Sequence, residues 1–271
     1  MDTATLHGQN RAAWNEAANR YAREIEADVA YLQAGGKNFC PPEFDFLQNL
    51  DAWCHRAIHL QCAGGRDTLS LLNLGAREVV GVDISDRMIE IARAKSALLN
   101  APAHWHRCDV LETADELNGT ADLMYTGRGA ICWLMDLPAW ARVVARLLKP
   151  GGKLYLFDGH PIHWVWDLDA PEYRFDPNPL YADYFATEVV TEQGWSSSYI
   201  PADAVPPVAE QEKKHERQWT VAAIVNAVIG AGLTIERLGE HPDAYWNQFP
   251  NMPDDVRRRL PNTLSLLAAK P

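Results

Sequence analysis

The chain has few of the features that mark membrane, disulfide-rich or nucleic-acid-binding proteins. Its 271 residues include no stretch of 18 apolar residues, which excludes a membrane-spanning helix. The five cysteines are scattered and no CxxC spacing occurs, so we predict reduced thiols rather than a disulfide framework. Residues 1–10 are polar and lack the apolar segment of a signal peptide, and we therefore expect a cytoplasmic protein.

Basic charge is also scarce. Lys and Arg number 25 against 36 Asp and Glu, which gives a net charge of −11, and no basic run is longer than Arg257-Arg258-Arg259. Nucleic-acid binding needs a basic face, so we predict neither a nucleic-acid nor a membrane partner. A neutral or cationic small molecule is the expected ligand. The composition, 47% apolar and 23% charged, is that of a globular protein, whose oligomeric state the sequence leaves open.

Short apolar segments alternate with helical segments along the chain. We predict strands at residues 57–62, 78–83, 104–108, 121–125 and 153–158, and two more at 234–238 and 264–269. Ser85 and Asp136 are suited to cap the helices that follow them, because a side-chain oxygen can accept a free backbone N–H at that position. This alternation is typical of a doubly wound α/β fold with a parallel sheet.

The pattern divides the chain into four regions. Residues 1–50 form a predicted helical cap, with Trp14 and Tyr21 on one apolar stripe, and residues 51–160 form the α/β core. Residues 161–215 hold seven of the 17 prolines and nine of the 26 aromatic residues, with neither a helical nor a strand repeat. We predict an inserted lid packed by its own rings. Residues 216–271 complete the core with a helix and two strands.

Acidic residues follow two of the predicted strands, where ligands of doubly wound sheets bind. Asp83 ends the second strand and can accept hydrogen bonds from both hydroxyls of a ribose, or it can serve as a helix-entry carboxylate beside Ser85. Asp109 follows the third strand and can accept the amine of an adenine, with Ile84 and Met88 over the ring faces. The structural alternative for Asp109 is a helix cap.

The loop after the first strand carries two adjacent glycines. Gly64-Gly65 allows a ligand to approach the backbone closely, or it forms a plain strand-to-helix turn. A pyrophosphate-binding loop needs GxGxxG, which residues 63–68 do not provide, and Asp67 would repel a phosphate at the helix N-terminus. The loop therefore suits a ribose with a cationic or zwitterionic tail better than a dinucleotide.

Four segments, residues 59–70, 79–85, 122–134 and 146–154, form a recognisable set. The last is a helix, a Lys149-Pro150-Gly151-Gly152 turn and a strand. With these segments the chain resembles class I S-adenosylmethionine-dependent methyltransferases over most of its length. The resemblance implies a seven-stranded Rossmann-like sheet with an antiparallel last strand, S-adenosyl-L-methionine as cofactor, and methyl transfer as activity.

The first of these segments departs from the family pattern of an acid followed by three alternating glycines. Gln61, Ala63, Gly65 and Asp67 stand at those positions. A known bacterial subgroup also has Leu-Gln-Cys at this point, so we interpret the segment as a variant first motif.

The strand ends and the resemblance together predict two sets of binding residues. The cofactor-binding set comprises Gln61, Ala63, Gly64, Gly65, Asp83, Ile84, Met88, Asp109, Val110, Thr126 and Gly127. The acceptor-binding set comprises Trp14, Tyr21, Trp133, His160, Trp164 and Tyr184. Trp133 has the alternative of filling the core.

His160, directly after the fifth strand, is the candidate catalytic residue. An imidazole of ordinary pKa, about 6.5, can act as general base toward an oxygen or ring-nitrogen acceptor. A hydrogen-bonded turn histidine before Pro161 is the alternative. We predict no metal site, because His104, His106 and His163 lack acid or cysteine partners at ligand spacing.

The leading hypothesis is a small-molecule methyltransferase that acts by in-line displacement on an oxygen or nitrogen nucleophile in a lid-closed pocket. An NAD-dependent oxidoreductase on a similar fold would share Asp83 but should carry a full GxGxxG. A non-catalytic S-adenosylmethionine-binding protein is the other alternative, which the variant first motif favours. The acceptor atom stays open among oxygen, nitrogen, sulfur and carbon.

Overall fold

The computed structural model describes residues 1–196 and 199–271, in which nine strands form two sheets. The strands are β1 (Arg56–Leu60), β2 (Glu78–Asp83), β3 (Ala103–Arg107), β4 (Ala121–Gly127), β5 (Leu148–Gly159), β6 (Val189–Gln193), β7 (Lys213–Arg217), β8 (Thr234–His241) and β9 (Thr263–Ala269). The large sheet has the order β3-β2-β1-β4-β5-β9-β8, and β6 pairs with β7 in a small separate sheet.

The large sheet is the predicted doubly wound sheet. β1 pairs in parallel with β2 and with β4, and β9 runs antiparallel to both β5 and β8. The seven-stranded Rossmann-like fold with an antiparallel last strand is therefore confirmed. β4 and β5 extend further than the sequence pattern predicted. β4 continues to Gly127, which pairs with Phe157, and β5 begins at Leu148, which pairs with Ala121.

The sheet has its topological switch point between β1 and β4. The chain proceeds outward from β1 to β3 and then returns to the other side of β1 as β4. Crossovers on opposite sides leave a crevice at the carboxyl ends of these two strands. The residues that follow β1 and β4, beginning at Gln61 and Arg128, therefore lie at the edge where a ligand is expected.

Helices cover the sheet and are capped as the sequence indicated. They are α1 (Thr3–Arg23), α2 (Ile25–Gln33), α3 (Pro41–Leu47), α4 (Arg66–Asn73), α5 (Asp86–Leu99), α6 (Leu137–Leu147), α7 (Val221–Gly230) and α8 (Asp254–Arg257). The Ser85 hydroxyl accepts from the Met88 N–H at 3.1 Å, and Asp136 accepts from the Ala139 N–H at 2.8 Å. Within the described ranges, none of these helices is long and apolar enough to cross a membrane.

The hydrophobic core has a layer on each face of the sheet. Trp140, Leu147 and Val228, from α6 and α7, are fully buried on one face. Leu47 and Leu71, from α3 and α4, are fully buried on the other. Complete burial of these large side chains fixes the helices against the strands, since each side chain of this size contributes roughly 1.5–3 kcal/mol or more.

The N-terminal helix α1 joins the core to the region that follows β5. On the core side, Arg11 donates to Asp86 at 2.8 Å, and Asn15 accepts from the Ser85 hydroxyl at 2.7 Å. On the other side, the Asn10 amide donates to the His215 carbonyl at 2.8 Å and accepts from the His215 N–H at 2.7 Å. α1 therefore contacts both the start of α5 and strand β7.

The predicted lid contains more regular structure than its sequence indicated. The small sheet of β6 and β7 pairs Val189 with Arg217 and Gln193 with Lys213, so β7 crosses the predicted boundary at residue 215. A strand carrying Lys213, Lys214, Glu216 and Arg217 shows no apolar alternation. Its pairing with β6 and the clamp from α1 hold it in place instead.

Candidate active site

A cavity of about 790 Å³ opens over the carboxyl ends of the five parallel strands β1 to β5. Its walls come from α1, from the loops after these strands, and from the aromatic-rich region between residues 161 and 219. A cavity of this size holds a nucleoside-sized ligand together with a small second molecule. The predicted cap, core and lid therefore meet at one site.

The loop after β1 has an unusual backbone. Gln61 and Ala63 adopt positive φ angles of 58° and 44°, and Gly65 follows at 78°. A side chain at Gly65 would come within 2.6 Å of Trp105 and 2.8 Å of Ala92, so this position requires glycine. The turn brings the backbone of residues 62–65 to the cavity without the glycine pattern of the family.

Gln61 links this loop to the segment after β4. Its amide nitrogen donates to the Ala130 carbonyl at 2.7 Å. Its amide oxygen is buried and has no hydrogen-bond partner among the residues that the structure describes. A buried acceptor without a partner is costly, so this oxygen is available to a donor on a ligand.

Asp83 ends β2 and contacts both the loop after β1 and the turn before α5. One carboxylate oxygen accepts from the Ala63 N–H at 2.8 Å and the other from the Ser85 N–H at 2.9 Å. Burial raises the pKa of Asp83 to about 6, although these N–H donors oppose the shift. Each carboxylate oxygen has a second lone pair, so the side chain can also accept from a diol.

Asp109 is held by the N-terminal helix. One oxygen accepts from the Leu111 N–H at 2.9 Å, which is the predicted cap, and the other lies 2.6 Å from His7 Nδ1. The Met135 N–H donates to His7 Nε2 at 3.1 Å. Because Nε2 accepts, Nδ1 carries the proton and donates to Asp109. His7 therefore connects the loop after β3 to the loop before α6.

A wall of three tryptophans, Trp14, Trp133 and Trp195, lines another part of the cavity. The Trp14 ring centroid lies 5.1 Å from that of Trp133 and 4.9 Å from that of Trp195. We call these three residues the tryptophan wall. Beside it, the Tyr21 and Tyr199 hydroxyls are 2.5 Å apart, which joins α1 to the lid.

A buried ion cluster closes the cavity near α4. Arg128, at φ 61°, lies 3.1 Å from Asp67 and 3.6 Å from Glu43. Burial raises the pKa of Glu43 to about 7, against the opposing effect of Arg128. Tyr125 donates to the same carboxylate at 2.7 Å. Asp67, which replaces the last family glycine, is thus neutralised within the protein.

His160 has both ring nitrogens engaged. Nδ1 accepts from the Ile162 N–H at 3.1 Å, and Nε2 therefore carries the proton and lies 2.9 Å from a Glu240 oxygen. Burial lowers its pKa, against the effect of Glu240. This geometry is that of the turn histidine before Pro161, and a catalytic role for His160 stays a prediction.

Most of the predicted site residues line the cavity. Those that do are Gln61, Ala63, Gly64, Gly65, Asp83, Ile84, Asp109, Val110, Gly127, Trp14, Tyr21, Trp133, His160 and Trp164. Three do not. Met88 is fully buried against Ala18, Thr126 is buried in β4, and the Tyr184 hydroxyl accepts from the Val221 N–H at 3.1 Å.

Several cavity residues were missed by sequence reasoning. His7, Trp195, Tyr199 and Glu216 all line the cavity. The excess of rings in residues 161–215 was a signal for Trp195 and Tyr199, but no spacing singled them out. His7 and Glu216 reach the site only because α1 and β7 fold over the sheet.

Comparison with known proteins relates part of the chain to methyltransferases. Residues 57–152 match the family model of a methyltransferase domain. A ubiquinone biosynthesis O-methyltransferase of Xanthomonas oryzae pv. oryzae is 31% identical over 117 residues, which are 43% of this chain and 48% of that protein. A ubiquinone biosynthesis O-methyltransferase of Neisseria meningitidis is 24% identical over 168 residues, 60% of this chain and 66% of that protein. The chain thus spans about half the length of the Xanthomonas relative.

Solved structures show the same fold. An S-adenosylmethionine-dependent methyltransferase of Mesorhizobium loti superposes with a TM-score of 0.55 at 23% identity, covering 79% of this chain and 90% of that one. A geranyl diphosphate C-methyltransferase of Streptomyces coelicolor, in complex with S-adenosyl-L-homocysteine, superposes with a TM-score of 0.54 at 16% identity, covering 85% of this chain and 76% of that one. The chain therefore has the fold of these S-adenosylmethionine-dependent methyltransferases, and residues 57–152 match a methyltransferase domain.

Proposed function

We propose that the protein binds S-adenosyl-L-methionine and transfers its methyl group to an oxygen or nitrogen of a small molecule. The observation that carries this proposal is Asp83, a partly buried carboxylate at the carboxyl end of β2 that lines the cavity and has spare lone pairs. The unpartnered Gln61 oxygen supplies a second acceptor for a donor on the cofactor. Both fit a ligand with a ribose and an ammonium-bearing tail.

The residues that would hold the cofactor come mainly from the carboxyl ends of β1, β2 and β3. Asp83 would hold the ribose, the loop after β3 with Asp109 and Val110 the adenine, and Gln61 with residues 63–65 the methionine tail. Gly127 comes at the end of β4, and a side chain there would clash with the Phe157 carbonyl at 1.8 Å, so the backbone itself lines the cavity. Ile84 lies beside Asp83 as a cover for a ring.

S-adenosyl-L-methionine supplies an activated methyl group, so the protein has to align the acceptor and exclude water. Fixed geometry of this kind can contribute roughly 7–11 kcal/mol to lowering a barrier. The tryptophan wall, Tyr21 and Trp164 would bind the acceptor. The hydrogen bond from Gln61 to Ala130 joins the loop after β1 to the segment that carries Trp133. This bond fixes the position of the two binding regions relative to each other.

The acceptor is proposed as a small molecule and the compartment as the cytoplasm. The relatives are named O-methyltransferases, which favours an oxygen acceptor, whereas the acidic, ring-lined cavity also suits a nitrogen acceptor. The five cysteines are unpaired, which agrees with a reducing compartment. Residues 1–50 as cap, 51–160 as core, 161–215 as lid and 216–271 as completion of the core remain our proposed division.

Binding of the cofactor product tests this function directly. We expect calorimetry to detect S-adenosyl-L-homocysteine binding and no NAD binding. At 100 times its Kd the ligand should add about 2.7 kcal/mol to the free energy of unfolding, which thermal unfolding would record as a higher Tm. Transfer of labelled methyl to a metabolite extract should follow. NAD binding without binding of the adenosyl compound would contradict the proposal.

A non-catalytic binding protein is the second candidate, and the loss of three family positions at Gln61, Ala63 and Asp67 favours it. In that case S-adenosyl-L-homocysteine should bind, but no labelled product should form over broad extracts.

A further inference from the structure

The small sheet presents a charged face to the cavity. Lys214 and Glu216 are two residues apart on β7 and therefore share a face, and Glu192 pairs with Lys214 across the sheet. Glu216 lies 3.5 Å from the Lys214 ammonium and accepts a 3.8 Å hydrogen bond from the Cys132 thiol. All four side chains line the cavity.

Lys214 contacts Glu192 more closely than it contacts Glu216. The ammonium donates to Glu192 through its shortest contact, and the Tyr181 hydroxyl also donates to Glu192. These bonds lower the pKa of Glu192 although burial opposes them, whereas burial raises the pKa of Glu216. Two carboxylates thus share one ammonium, and Glu216 has the weaker partners.

The other cations at the cavity are already engaged. Arg20 lies 3.1 Å from Glu24 and Arg128 lies 3.1 Å from Asp67. Arg66 and Lys95 both pair with Asp28, at 3.2 and 2.6 Å. An anionic acceptor would therefore find no cation without a carboxylate partner among these four, and it would face the Glu216 carboxylate.

Arg217, the remaining arginine of β7, has no carboxylate partner among the described residues, and its Nε has no hydrogen-bond partner there. It donates to the Met135 carbonyl at 3.1 Å, and its guanidinium lies 4.2 Å from the centroid of the Trp219 ring. Its charge is thus placed against a ring and a backbone oxygen.

The tryptophan wall adjoins Glu216. Trp133 directly follows Cys132, and the Trp195 ring centroid lies 5.8 Å from the Lys214 ammonium and 5.9 Å from the Trp133 ring. Ring faces attract cations, and indole does so most strongly. A partly neutralised carboxylate beside three indoles is suited to an ammonium group on an apolar body.

We propose that the methyl acceptor is an amine with an apolar or aromatic body, held as a cation by Glu216 and the tryptophan wall. This inference rests on the proposed methyl transfer and names its acceptor class. Glu216 is then a catalytic residue that contacts the reacting nitrogen.

The step balances with the groups present. An ammonium has no lone pair, so one N–H proton passes to the Glu216 carboxylate. A water-excluded site favours this neutral pair over two separated charges. The freed lone pair forms the new N–C bond to the methyl carbon as the C–S bond breaks, and the sulfur keeps that electron pair as a thioether. The product is the methylammonium, and Glu216 returns its proton to solvent.

The test compares amines with alcohols of the same skeleton. The probes are 2-phenylethylamine and tryptamine against 2-phenylethanol and tryptophol, each with labelled S-adenosyl-L-methionine. We expect at least one amine to be methylated at least tenfold faster than its alcohol. We also expect at least one amine to quench the tryptophan fluorescence of the protein saturated with S-adenosyl-L-homocysteine.

Glu216→Gln keeps the size of the side chain and removes its charge. We expect amine binding and methylation to fall at least tenfold while calorimetry finds S-adenosyl-L-homocysteine affinity within twofold of the original chain. Glu212→Gln makes the same charge change at an exposed residue just before β7. It should leave amine binding, amine methylation and S-adenosyl-L-homocysteine affinity unchanged.

The outcomes separate the two proposals. Three results would overturn the amine inference alone. The first is faster methylation of the alcohols, and the second is unchanged amine binding and methylation in Glu216→Gln. The third is that neither amine is bound or methylated while the cofactor product still binds. Failure of the original chain to bind S-adenosyl-L-homocysteine would overturn the proposed function itself.

Discussion

At the scale of single residues, the site depends on side chains whose hydrogen bonds are fixed before any ligand arrives. Asp83 is held by two backbone N–H groups and His7 by Asp109 and Met135. Such fixed groups lose little freedom on binding, which favours affinity. Asp83 and His160 therefore give the sharpest single-residue tests.

Asp83→Asn should weaken S-adenosyl-L-homocysteine binding at least tenfold. The amide would direct an NH₂ toward an N–H donor of Ala63 or Ser85, and it lacks the charge that strengthens bonds from a ribose. Calorimetry measures the change. Asp86→Asn, at a half-exposed ion pair with Arg11, is the matched control and should change affinity less than threefold.

Binding should also depend on pH through Asp83. Since its pKa is about 6, the carboxylate is charged above that pH and becomes protonated below it. Affinity should therefore fall as pH drops from 7 to 5, and Asp83→Asn should lack this fall. Equal pH dependence in both proteins would count against Asp83 as the ribose ligand.

His160→Ala should lower turnover at least tenfold with cofactor affinity unchanged. The loss has two possible sources, a missing base or a lost cap at Ile162. His160→Asn separates them, because an asparagine oxygen can accept from the Ile162 N–H but cannot act as a base. Given both engaged nitrogens, we expect the asparagine variant to recover most of the turnover. An asparagine variant as inactive as the alanine variant would instead support proton transfer.

At the scale of elements, α1 is the part that joins cofactor loop, acceptor wall and lid. It contacts Asp109 through His7, the start of α5 through Asn15, and β7 through Asn10. The Asn10 side chain acts as one more residue of the small sheet, since it satisfies both backbone groups of His215. Amphipathic periodicity predicted the helix but not these polar contacts.

Asn10→Ala should loosen β7. Both buried backbone groups of His215 would lose their partner, at a cost of about 1–3 kcal/mol each. We expect faster amide hydrogen exchange at residues 213–217 and a lower Tm. Asn10→Asp keeps the acceptor for the His215 N–H and loses the donor. Its exchange rate and Tm should therefore lie between those of the original chain and those of Asn10→Ala. Unchanged exchange in both variants would mean that β7 is held mainly by β6.

At the scale of the whole molecule, stability should depend on histidines buried without charge. His59 in β1 contacts Thr68 at 2.8 Å and packs against Tyr125, and burial lowers its pKa to about 4. The unfolded chain binds a proton near pH 6.5 and the folded one only near pH 4, so this group lowers stability as pH falls through that window.

His59→Phe removes this proton linkage and keeps a ring against Tyr125. From pH 7 to pH 5 the free energy of unfolding of the original chain should fall by about 2 kcal/mol more than that of the variant. Denaturant unfolding at the two pH values measures the difference. An equal loss of unfolding free energy in the two proteins would show that His59 titrates alike in the folded and the unfolded state.

The sequence by itself determined the core sheet. Alternating apolar segments and turn residues act locally, so all seven strands and the caps at Ser85 and Asp136 could be predicted. The same pattern fixes the end of β2 at Asp83, which lines the cavity, and its role as a cofactor ligand stays a prediction.

Only the tertiary structure decided which distant side chains meet over that sheet. Glu216 and His7 are 209 residues apart and carry no shared pattern, yet both line the cavity because α1 and β7 pack against each other. Met88 has the spacing of a site residue but is buried against Ala18, because α1 packs against α5 at this point. Local propensity fixes strands and turns, whereas long-range packing and polar contacts choose the residues that surround a ligand.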